Sequence, residues 1–188
     1  MSIIREHDYV LTKDNIKLRP MTDDDLDLLM MLNSDLEVLY WSDEDATTAY
    51  TMDEVIGIYG GVSQNAWCFI IEYDGNPIGE CWLQKMNMQY ILEEFPRETI
   101  YRIDISIGIK TYWNQGIGHR VIKLLTEFGF TKQRADKIFY LVEEKNKRSV
   151  RAAEKAGFIT YATYDHDSEY YDVNMMMTST DYSDLYNS

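Results

Sequence analysis

The 188-residue chain is poor in cysteine, proline and basic residues: it has two cysteines, three prolines, and 18 Lys and Arg against 32 Asp and Glu. Cys68 and Cys81 form no CxxC pair and have no suitably spaced histidine, which excludes the common zinc sites, and we expect no bound metal. The net charge of −14 disfavours nucleic acid, whose phosphates would be repelled. It favours a cationic small molecule or a basic peptide, although a solvated acidic surface explains the charge equally well.

Long apolar runs are also missing. No stretch approaches the roughly 18 residues needed to cross a bilayer, and the N-terminal stretch MSIIREHDYVLTKD is too polar for a signal peptide. We therefore expect a cytoplasmic protein that does not bind membranes and whose two thiols stay reduced. The alternative is a disulfide, because a hairpin turn at Asp74-Gly75 would set Cys68 opposite Cys81.

The chain does contain enough apolar residues, 45% of the total, to bury a core. Apolar spacing and turn residues predict the following elements in order: a strand over 15–20, a helix capped by Thr22 and Asp25, an acidic aromatic loop over 40–51, a helix over 52–60, a hairpin around Asp74-Gly75, a strand over 101–109, an amphipathic helix after Gly116, a strand over 137–144, a helix ended by Gly157, and two late strands. This order predicts one α+β domain over residues 1–178 and a frayed tail over 179–188.

Residues 101 to 119 combine a strand with a glycine loop. In YRIDISIGI, apolar residues alternate with Arg102, Asp104, Ser106 and Gly108, which predicts one apolar and one polar face. The loop NQGIGH then leads into a helix, and glycines before a helix N-terminus can bind an anion through backbone N–H groups. A plain tight turn would explain the two glycines as well. The P-loop and dinucleotide fingerprints are both excluded, since no Lys-Ser or Lys-Thr follows and Val121 breaks the spacing.

Three motifs in order resemble the GNAT superfamily of acetyl-CoA-dependent N-acetyltransferases: the strand YRIDISIG, the loop NQGIGH with its helix, and the later N-x-x-x-V-x-x-x-E-K-A-G-F. The resemblance covers roughly residues 67 to 160, and the front end IKLRPMTDDDLDLL is also typical of the family. It implies a GNAT-like mixed, mostly antiparallel central sheet with flanking helices. It also implies acetyl-CoA as the co-substrate.

The resemblance further implies a cofactor site built mainly from backbone. The pyrophosphate of coenzyme A would be bound by Asn114, Gln115, Gly116, Ile117, Gly118 and His119. The pantetheine arm would pair with the main chain of Ile107, Gly108 and Ile109, and Asn146 would lie beside the cofactor. Trp113 departs from the family pattern, which has Arg or Gln there, so one side-chain contact to phosphate would be missing.

Within the family, residues 100 to 122 look most like the aminoglycoside 6'-N-acetyltransferases. This implies direct acetyl transfer, in a ternary complex, to a primary amine of an aminoglycoside. Asp104 would be the catalytic base, and the cationic substrate would be bound by Trp41, Asp43, Glu44, Glu80 and Asp104. Because an aspartate is a weak base, we expect burial or a second acid beside Asp104 to raise its pKa.

Several alternatives stay open. The family often has a tyrosine that protonates the leaving thiolate, and this chain has Ala153 there, so Tyr112, Tyr140 or water would take that role. The acceptor could instead be a polyamine, another antibiotic or a protein N-terminus. The chain could also be a coenzyme A sensor with little turnover, and the resemblance leaves a homodimer through the late strands open.

Overall fold

The computed structural model describes residues 2–42, 47–165 and 170–186. Within these ranges it contains eight strands and seven α-helices: β1 (Leu11–Lys13), β2 (Ile16–Pro20), α1 (Leu26–Leu32), α2 (Leu36–Ser42), α3 (Met52–Ser63), β3 (Ala66–Tyr73), β4 (Asn76–Lys85), α4 (Gln89–Glu94), β5 (Ile100–Ser106), α5 (Ile117–Thr131), β6 (Lys137–Val142), α6 (Lys147–Ala156), β7 (Ile159–Thr163), β8 (Val173–Thr178) and α7 (Ser179–Tyr186). Two short 3-10 helices, Asp23–Asp25 and Lys110–Tyr112, precede α1 and α5.

The strands are ordered β1-β2-β3-β4-β5-β6-β8-β7 in the sheet. β5 and β6 pair in parallel, and α5 lies between them in the chain, as a parallel pair needs a long crossover connection. The pairs β1–β2, β2–β3, β6–β8 and β7–β8 are antiparallel. The predicted α+β class with a mixed, mostly antiparallel sheet is confirmed.

The chain divides into two compact units. Unit 1 comprises Met1–Trp82 and Ile105–Ile117, and its core packs side chains of α1, α3 and β3, among them Leu29, Val55 and Ile70. Unit 2 comprises Leu83–Asp104 and Gly118–Ser188, and one of its cores packs Met86, Ile91, Ile100, Phe139 and Leu141. β4 and β5 each contain residues of both units. The single domain over residues 1–178 stays a prediction.

Local signals explain the elements that the sequence predicts correctly. Asp74 and Gly75 have φ values of 49° and 79°, and two positive φ values in succession are what a type I′ hairpin turn requires. At the start of the first helical segment, the Asp25 carboxylate accepts a hydrogen bond from the Thr22 N–H at 2.9 Å. Asp25 is buried and also forms an ion pair with the partly exposed Arg19 at 2.7 Å, so the predicted cap has a second role.

The predicted loop over residues 40–51 is wrong at its start. Tyr40 and Trp41 lie in α2, which begins after Asp35, where the carboxylate accepts a hydrogen bond from the Glu37 N–H at 2.9 Å. The helix buries Val38 and Leu39 against the core. Seven residues are too few for apolar spacing to distinguish a helix from a loop by sequence.

The predicted frayed tail is also wrong, because residues 179–186 form α7. The Asp181 carboxylate accepts from the Thr178 N–H at 2.9 Å, and the Thr178 hydroxyl accepts from the Asp181 N–H at 3.1 Å. This reciprocal cap is a T-x-x-D signal that the polar composition of the tail conceals. Stacking of Tyr182 on Phe130, with centroids 5.0 Å apart, holds the helix on unit 2.

Cys68 and Cys81 are both buried, and their reduced state stays a prediction. Burial raises the pKa of Cys81 well above its ordinary value, which makes this thiol a poor nucleophile. In the described part of the chain, no helix is long and apolar enough to cross a membrane.

Gly79 of β4 lies where the main chain of unit 1 approaches itself closely. A Cβ at this position would overlap the carbonyl oxygen of Ser106 and lie 2.9 Å from Ile107 Cα. Both neighbours are backbone atoms that cannot rotate away. We therefore expect Gly79→Ala to lower the free energy of unfolding by about 1–3 kcal/mol, as overpacking does, when measured by urea denaturation.

Gly57→Ala is the matched control, since Gly57 lies in α3 and no atom lies within 4 Å of a Cβ built there. This change should stabilise the protein by about 0.5–1 kcal/mol through helix propensity. Equal effects of the two substitutions would show that the close approach at Gly79 has no energetic consequence.

Candidate functional site

Asp104, the predicted base, lies near the end of β5 and forms a bidentate ion pair with Arg102. Arg102 Nε donates to Asp104 Oδ2 at 2.9 Å, and Nη2 donates to Oδ1 at 2.5 Å. The side chain of Asp104 is 21% exposed, whereas that of Arg102 is 7% exposed. A carboxylate has about four acceptor positions, so Asp104 can still accept a hydrogen bond on its exposed side.

Arg102 is buried in unit 2, although the alternating pattern of β5 predicted a polar face. Its guanidinium lies 5.3 Å from the centroid of the Tyr171 ring, and Nη1 donates to Asn87 Oδ1 at 3.4 Å. Burial alone would lower the pKa of Arg102, but the charge and hydrogen bonds of Asp104 and Tyr171 raise it. The side chain that directly contacts Asp104 is therefore a cation, whereas the sequence led us to expect burial or a second acid there.

Glu80, a predicted substrate-binding residue, is enclosed in unit 1 with an exposed fraction of 2%. Its Oε1 accepts hydrogen bonds from the Tyr59 hydroxyl at 2.9 Å and from Asn33 Nδ2 at 3.4 Å. Asn33 Nδ2 also donates to the Tyr59 oxygen at 2.7 Å, which links the three side chains. Burial raises the pKa of Glu80 to about 7, against the opposing effect of the two hydrogen bonds. This carboxyl group therefore changes its charge near neutral pH.

The glycine loop takes the shape that its sequence predicts. Asn114 and Gly116 have φ values of 62° and 73°, and α5 begins at Ile117. Gly118 and His119 therefore belong to the first helical turn, whose N–H groups have no partner within the helix. The Gln115 side chain donates to the Thr111 carbonyl at 2.7 Å and braces the turn.

Positive charge gathers at the start of α5. Burial lowers the pKa of His119, and the charges of Lys123, Lys155 and Arg120 lower it further. His119 is therefore neutral at pH 7, while its three neighbours create a positive potential in a chain of net charge −14. Together with the helix dipole, this potential suits an anion such as a phosphate.

The three residues after β5 were predicted to pair with a pantetheine arm. The Ile107 carbonyl accepts from the indole Nε1 of Trp113 at 2.7 Å, and the Ile109 N–H donates to the Ile78 carbonyl at 3.2 Å. Gly108 packs so closely that an added Cβ would lie 2.8 Å from the Leu32 carbonyl oxygen. Trp113, which replaces the polar residue of the family pattern, thus ties the loop to the end of the strand.

At the start of α6, the side chain of Asn146 caps the helix by accepting from the Ser149 N–H at 3.2 Å. Ala153 is fully buried on the same helix. The hydroxyl groups of Tyr140 and Ser149 lie 2.6 Å apart. Burial raises the pKa of Tyr140 to about 12, and the charge of Asp104 adds to this effect. The phenol is therefore neutral at pH 7 and keeps its proton.

Trp41 is a further predicted residue, and it lies in unit 1. Trp41 packs edge-on against Tyr40 in α2, with ring centroids 4.9 Å apart. Asp43 and Glu44 lie outside the described residues, so their predicted role is untested. Nowhere in residues 2–42, 47–165 and 170–186 do three His, Cys, Asp or Glu side chains come together as metal ligands.

Sequence reasoning missed most partners of the predicted residues. Arg102 shares a strand face with Asp104, and this spacing of two residues was the available signal. The partners of Glu80 had none, because Tyr59 and Asn33 are 21 and 47 residues away in the chain. The structure brings Asp104 within electrostatic range of Tyr140 in unit 2, which the sequence did not suggest.

Glu80→Gln should remove a pH dependence of stability. The pKa of Glu80 is about 7 in the folded state against an ordinary value of 4.5, so between these values the folded protein binds a proton that the unfolded chain lacks. The free energy of unfolding therefore falls as the pH rises from 4.5 to 7, by about 3 kcal/mol. Urea denaturation across this range should show the loss in the wild type and not in Glu80→Gln.

Glu127→Gln, at an exposed position in α5, is the control and should follow the wild-type curve. Parallel curves for the wild type and Glu80→Gln would contradict a buried carboxyl group that titrates near neutrality.

Comparison with known proteins places this geometry in a family. The family model described as an acetyltransferase (GNAT) domain matches residues 15–159. The aminoglycoside acetyltransferase AAC(6')-Ib, in complex with coenzyme A, is 23% identical with a TM-score of 0.77, over 92% of this chain and 99% of that one. The spermidine N-acetyltransferase from Vibrio cholerae, in complex with CoA and spermine, is 20% identical with a TM-score of 0.69, over 90% of this chain and 99% of that one.

A GNAT-family acetyltransferase from Bacillus anthracis is 16% identical with a TM-score of 0.71, over 92% of this chain and 99% of that one. At these identities the similarity to solved structures shows a shared fold. The family model spans well over half of the chain and agrees with the loop and helix geometry of residues 114–119. The chain therefore belongs to the GNAT acetyltransferases and is an acetyl-CoA-dependent N-acetyltransferase.

Proposed function

We propose that this enzyme transfers an acetyl group from acetyl-CoA to the 6'-amine of an aminoglycoside antibiotic, by direct transfer in a ternary complex in the cytoplasm. The observation that carries the proposal is Asp104, a carboxylate fixed by Arg102 at two atoms and still 21% exposed. AAC(6')-Ib, which has been solved with kanamycin and with ribostamycin, supports the choice of acceptor through a TM-score of 0.77 over nearly its whole length.

The chemistry requires a proton acceptor. A primary amine is mostly protonated at neutral pH and must lose a proton before it can attack a carbonyl. Asp104 pairs with the ammonium group and accepts that proton, directly or through one water, while Arg102 keeps the carboxylate in position. Acetyl-CoA, when bound, supplies the thioester that the neutral nitrogen attacks. The Tyr140–Ser149 hydroxyl pair provides a hydrogen-bond donor for the leaving thiolate, since Ala153 has none.

Backbone N–H groups from Asn114 to His119 would bind the phosphates of acetyl-CoA. The first turn of α5 and the positive charges around His119 support this assignment. Because the Ile107 carbonyl and the Ile109 N–H have internal partners, the pantetheine arm would pair with the other main-chain groups of residues 107–109. Asn146 would lie beside the cofactor. The cationic acceptor would be bound by Trp41, Asp43, Glu44 and Glu80.

A polyamine is the second candidate acceptor. The spermidine N-acetyltransferase from Vibrio cholerae, solved with spermine, shares the fold. A net charge of −14 attracts any polycation, so charge does not separate the two acceptors. Polyamines have no hydroxyl groups, whereas aminoglycosides have many, and a panel that contains both classes would distinguish them.

Asp104→Asn tests the role of the base. We expect the kanamycin-dependent release of thiol from acetyl-CoA to fall by about 100-fold or more, the usual contribution of general base catalysis. Thiol release can be followed with a chromogenic disulfide, and acetyl-CoA binding measured by calorimetry should stay within threefold of the wild type. Asp184→Asn, at an exposed position in α7, is the control and should leave the rate unchanged.

Thiol release that no aminoglycoside stimulates would refute the proposed acceptor. If spermine stimulates it instead, the second candidate is correct. If Asp104→Asn keeps the wild-type rate, the amine loses its proton to another group.

Gly118→Ala tests the cofactor loop without disturbing the fold. The added Cβ would lie 3.7 Å from the Cβ of Ala152, an ordinary contact, so the thermal midpoint should not fall. The methyl group would occupy space beside the first-turn N–H groups, and we expect the Kd for coenzyme A to rise at least tenfold. Gly61→Ala in α3 is the control, because no atom lies within 4 Å of a Cβ built at Gly61. An unchanged Kd in Gly118→Ala would argue against phosphate binding at this turn.

A further inference from the structure

Two buried polar atoms on β4 have no hydrogen-bond partner among the residues that the structure describes: Glu80 Oε2 and Trp82 Nε1. A buried donor or acceptor that lacks a partner is costly, and such atoms are rare in native proteins. Trp82 Nε1 is a donor and Glu80 Oε2 is an acceptor, and both are buried two residues apart on one strand, without a partner in the described part of the chain. This arrangement points to a partner that the two atoms share. Neither atom takes part in the chemistry assigned to Asp104.

The two side chains lie on the same face of β4, since residues two apart in a strand point the same way. Their Cβ atoms are then about 7 Å apart. Both side chains contact Tyr59: its hydroxyl donates to Glu80 Oε1 at 2.9 Å, and its ring lies 6.2 Å from that of Trp82 at an angle of 82°. One atom can hydrogen-bond to both Oε2 and Nε1 when these two atoms lie within about 6 Å of each other. Side chains whose Cβ atoms are about 7 Å apart can reach this distance.

The chemistry of the two atoms identifies the group that suits them. An indole N–H can only donate, and an ionised carboxylate can only accept. An ammonium group cannot accept from the indole, and a carbonyl cannot donate to the carboxylate. A hydroxyl does both, and by rotation it can also accept from Glu80 when that group is protonated.

We propose that Glu80 Oε2 and Trp82 Nε1 form a subsite for one hydroxyl group, which belongs either to a bound water or to the acceptor substrate. The substrate source rests on the proposed function, because amino sugars have hydroxyl groups close to their amines. The water source does not depend on it. In both cases the subsite gives Glu80 Oε2 and Trp82 Nε1 the partner that they lack among the described residues. When the hydroxyl belongs to the substrate, the subsite would also favour a hydroxylated amine over a polyamine.

The test is ¹⁵N NMR of the intact chain labelled at tryptophan. Trp82→Phe, which removes the N–H and keeps an aromatic ring, assigns the Trp82 indole signal, and Trp67→Phe is the control that must leave this signal in place. Spectra are recorded for the free protein, then with coenzyme A and kanamycin, and then with coenzyme A and spermine, which has no hydroxyl group.

Each outcome decides the matter. A cross-peak between the indole proton and water that persists with kanamycin identifies a bound water as the hydroxyl. A shift of the indole proton of at least 0.3 ppm with kanamycin but not with spermine, together with loss of any water cross-peak, identifies the substrate hydroxyl. An indole proton that shows no water cross-peak and does not respond to kanamycin overturns the subsite. If kanamycin does not bind at all, the aminoglycoside assignment fails, and the spectrum of the free protein alone decides on the subsite.

Discussion

The ion pair between Arg102 and Asp104 links the stability of unit 2 to the chemistry that we propose for Asp104. A guanidinium that is only 7% exposed is tolerated because a carboxylate holds it at two atoms, and breaking such a pair typically costs about 3–5 kcal/mol. The same carboxylate is the proposed base. The contact that stabilises a buried guanidinium therefore also fixes the position of the carboxylate that the proposed reaction uses.

Glu80 shows how a different environment changes the behaviour of the same chemical group. Its partners are the neutral side chains of Tyr59 and Asn33, and burial without a cation raises its pKa to about 7. A carboxyl group enclosed among neutral groups can hold a proton near neutral pH. Asp104 has a guanidinium partner and Glu80 has none among the described residues, so the two acids lie in different surroundings.

How much the sequence could predict depended on how local each signal was. The turn at Asp74-Gly75 and the cap at Thr22 and Asp25 are set by residues within a few positions of one another, and both were predicted. The amphipathic helix after Gly116 was predicted for the same reason, and its apolar residues Val121, Leu125 and Phe128 are buried.

The failures involve contacts between distant residues or patterns that are too short. The burial of Arg102 depends on Tyr171, which is 69 residues away, and alternation along β5 cannot reveal it. The partners of Glu80 are equally remote. α2 has seven residues, and α7 is short and largely polar. Their helical character depends on the capping carboxylates of Asp35 and Asp181.

The basic cluster at the start of α5 has a consequence for salt. In a chain of net charge −14, an anionic ligand meets long-range repulsion and short-range attraction. At physiological ionic strength the screening length is about 8 Å, so the repulsion is damped while contacts with backbone amides are preserved. Added salt should thus speed the approach of a polyanion and slow that of a polycation. The relative saturation of the enzyme with its anionic and cationic substrates would then depend on ionic strength.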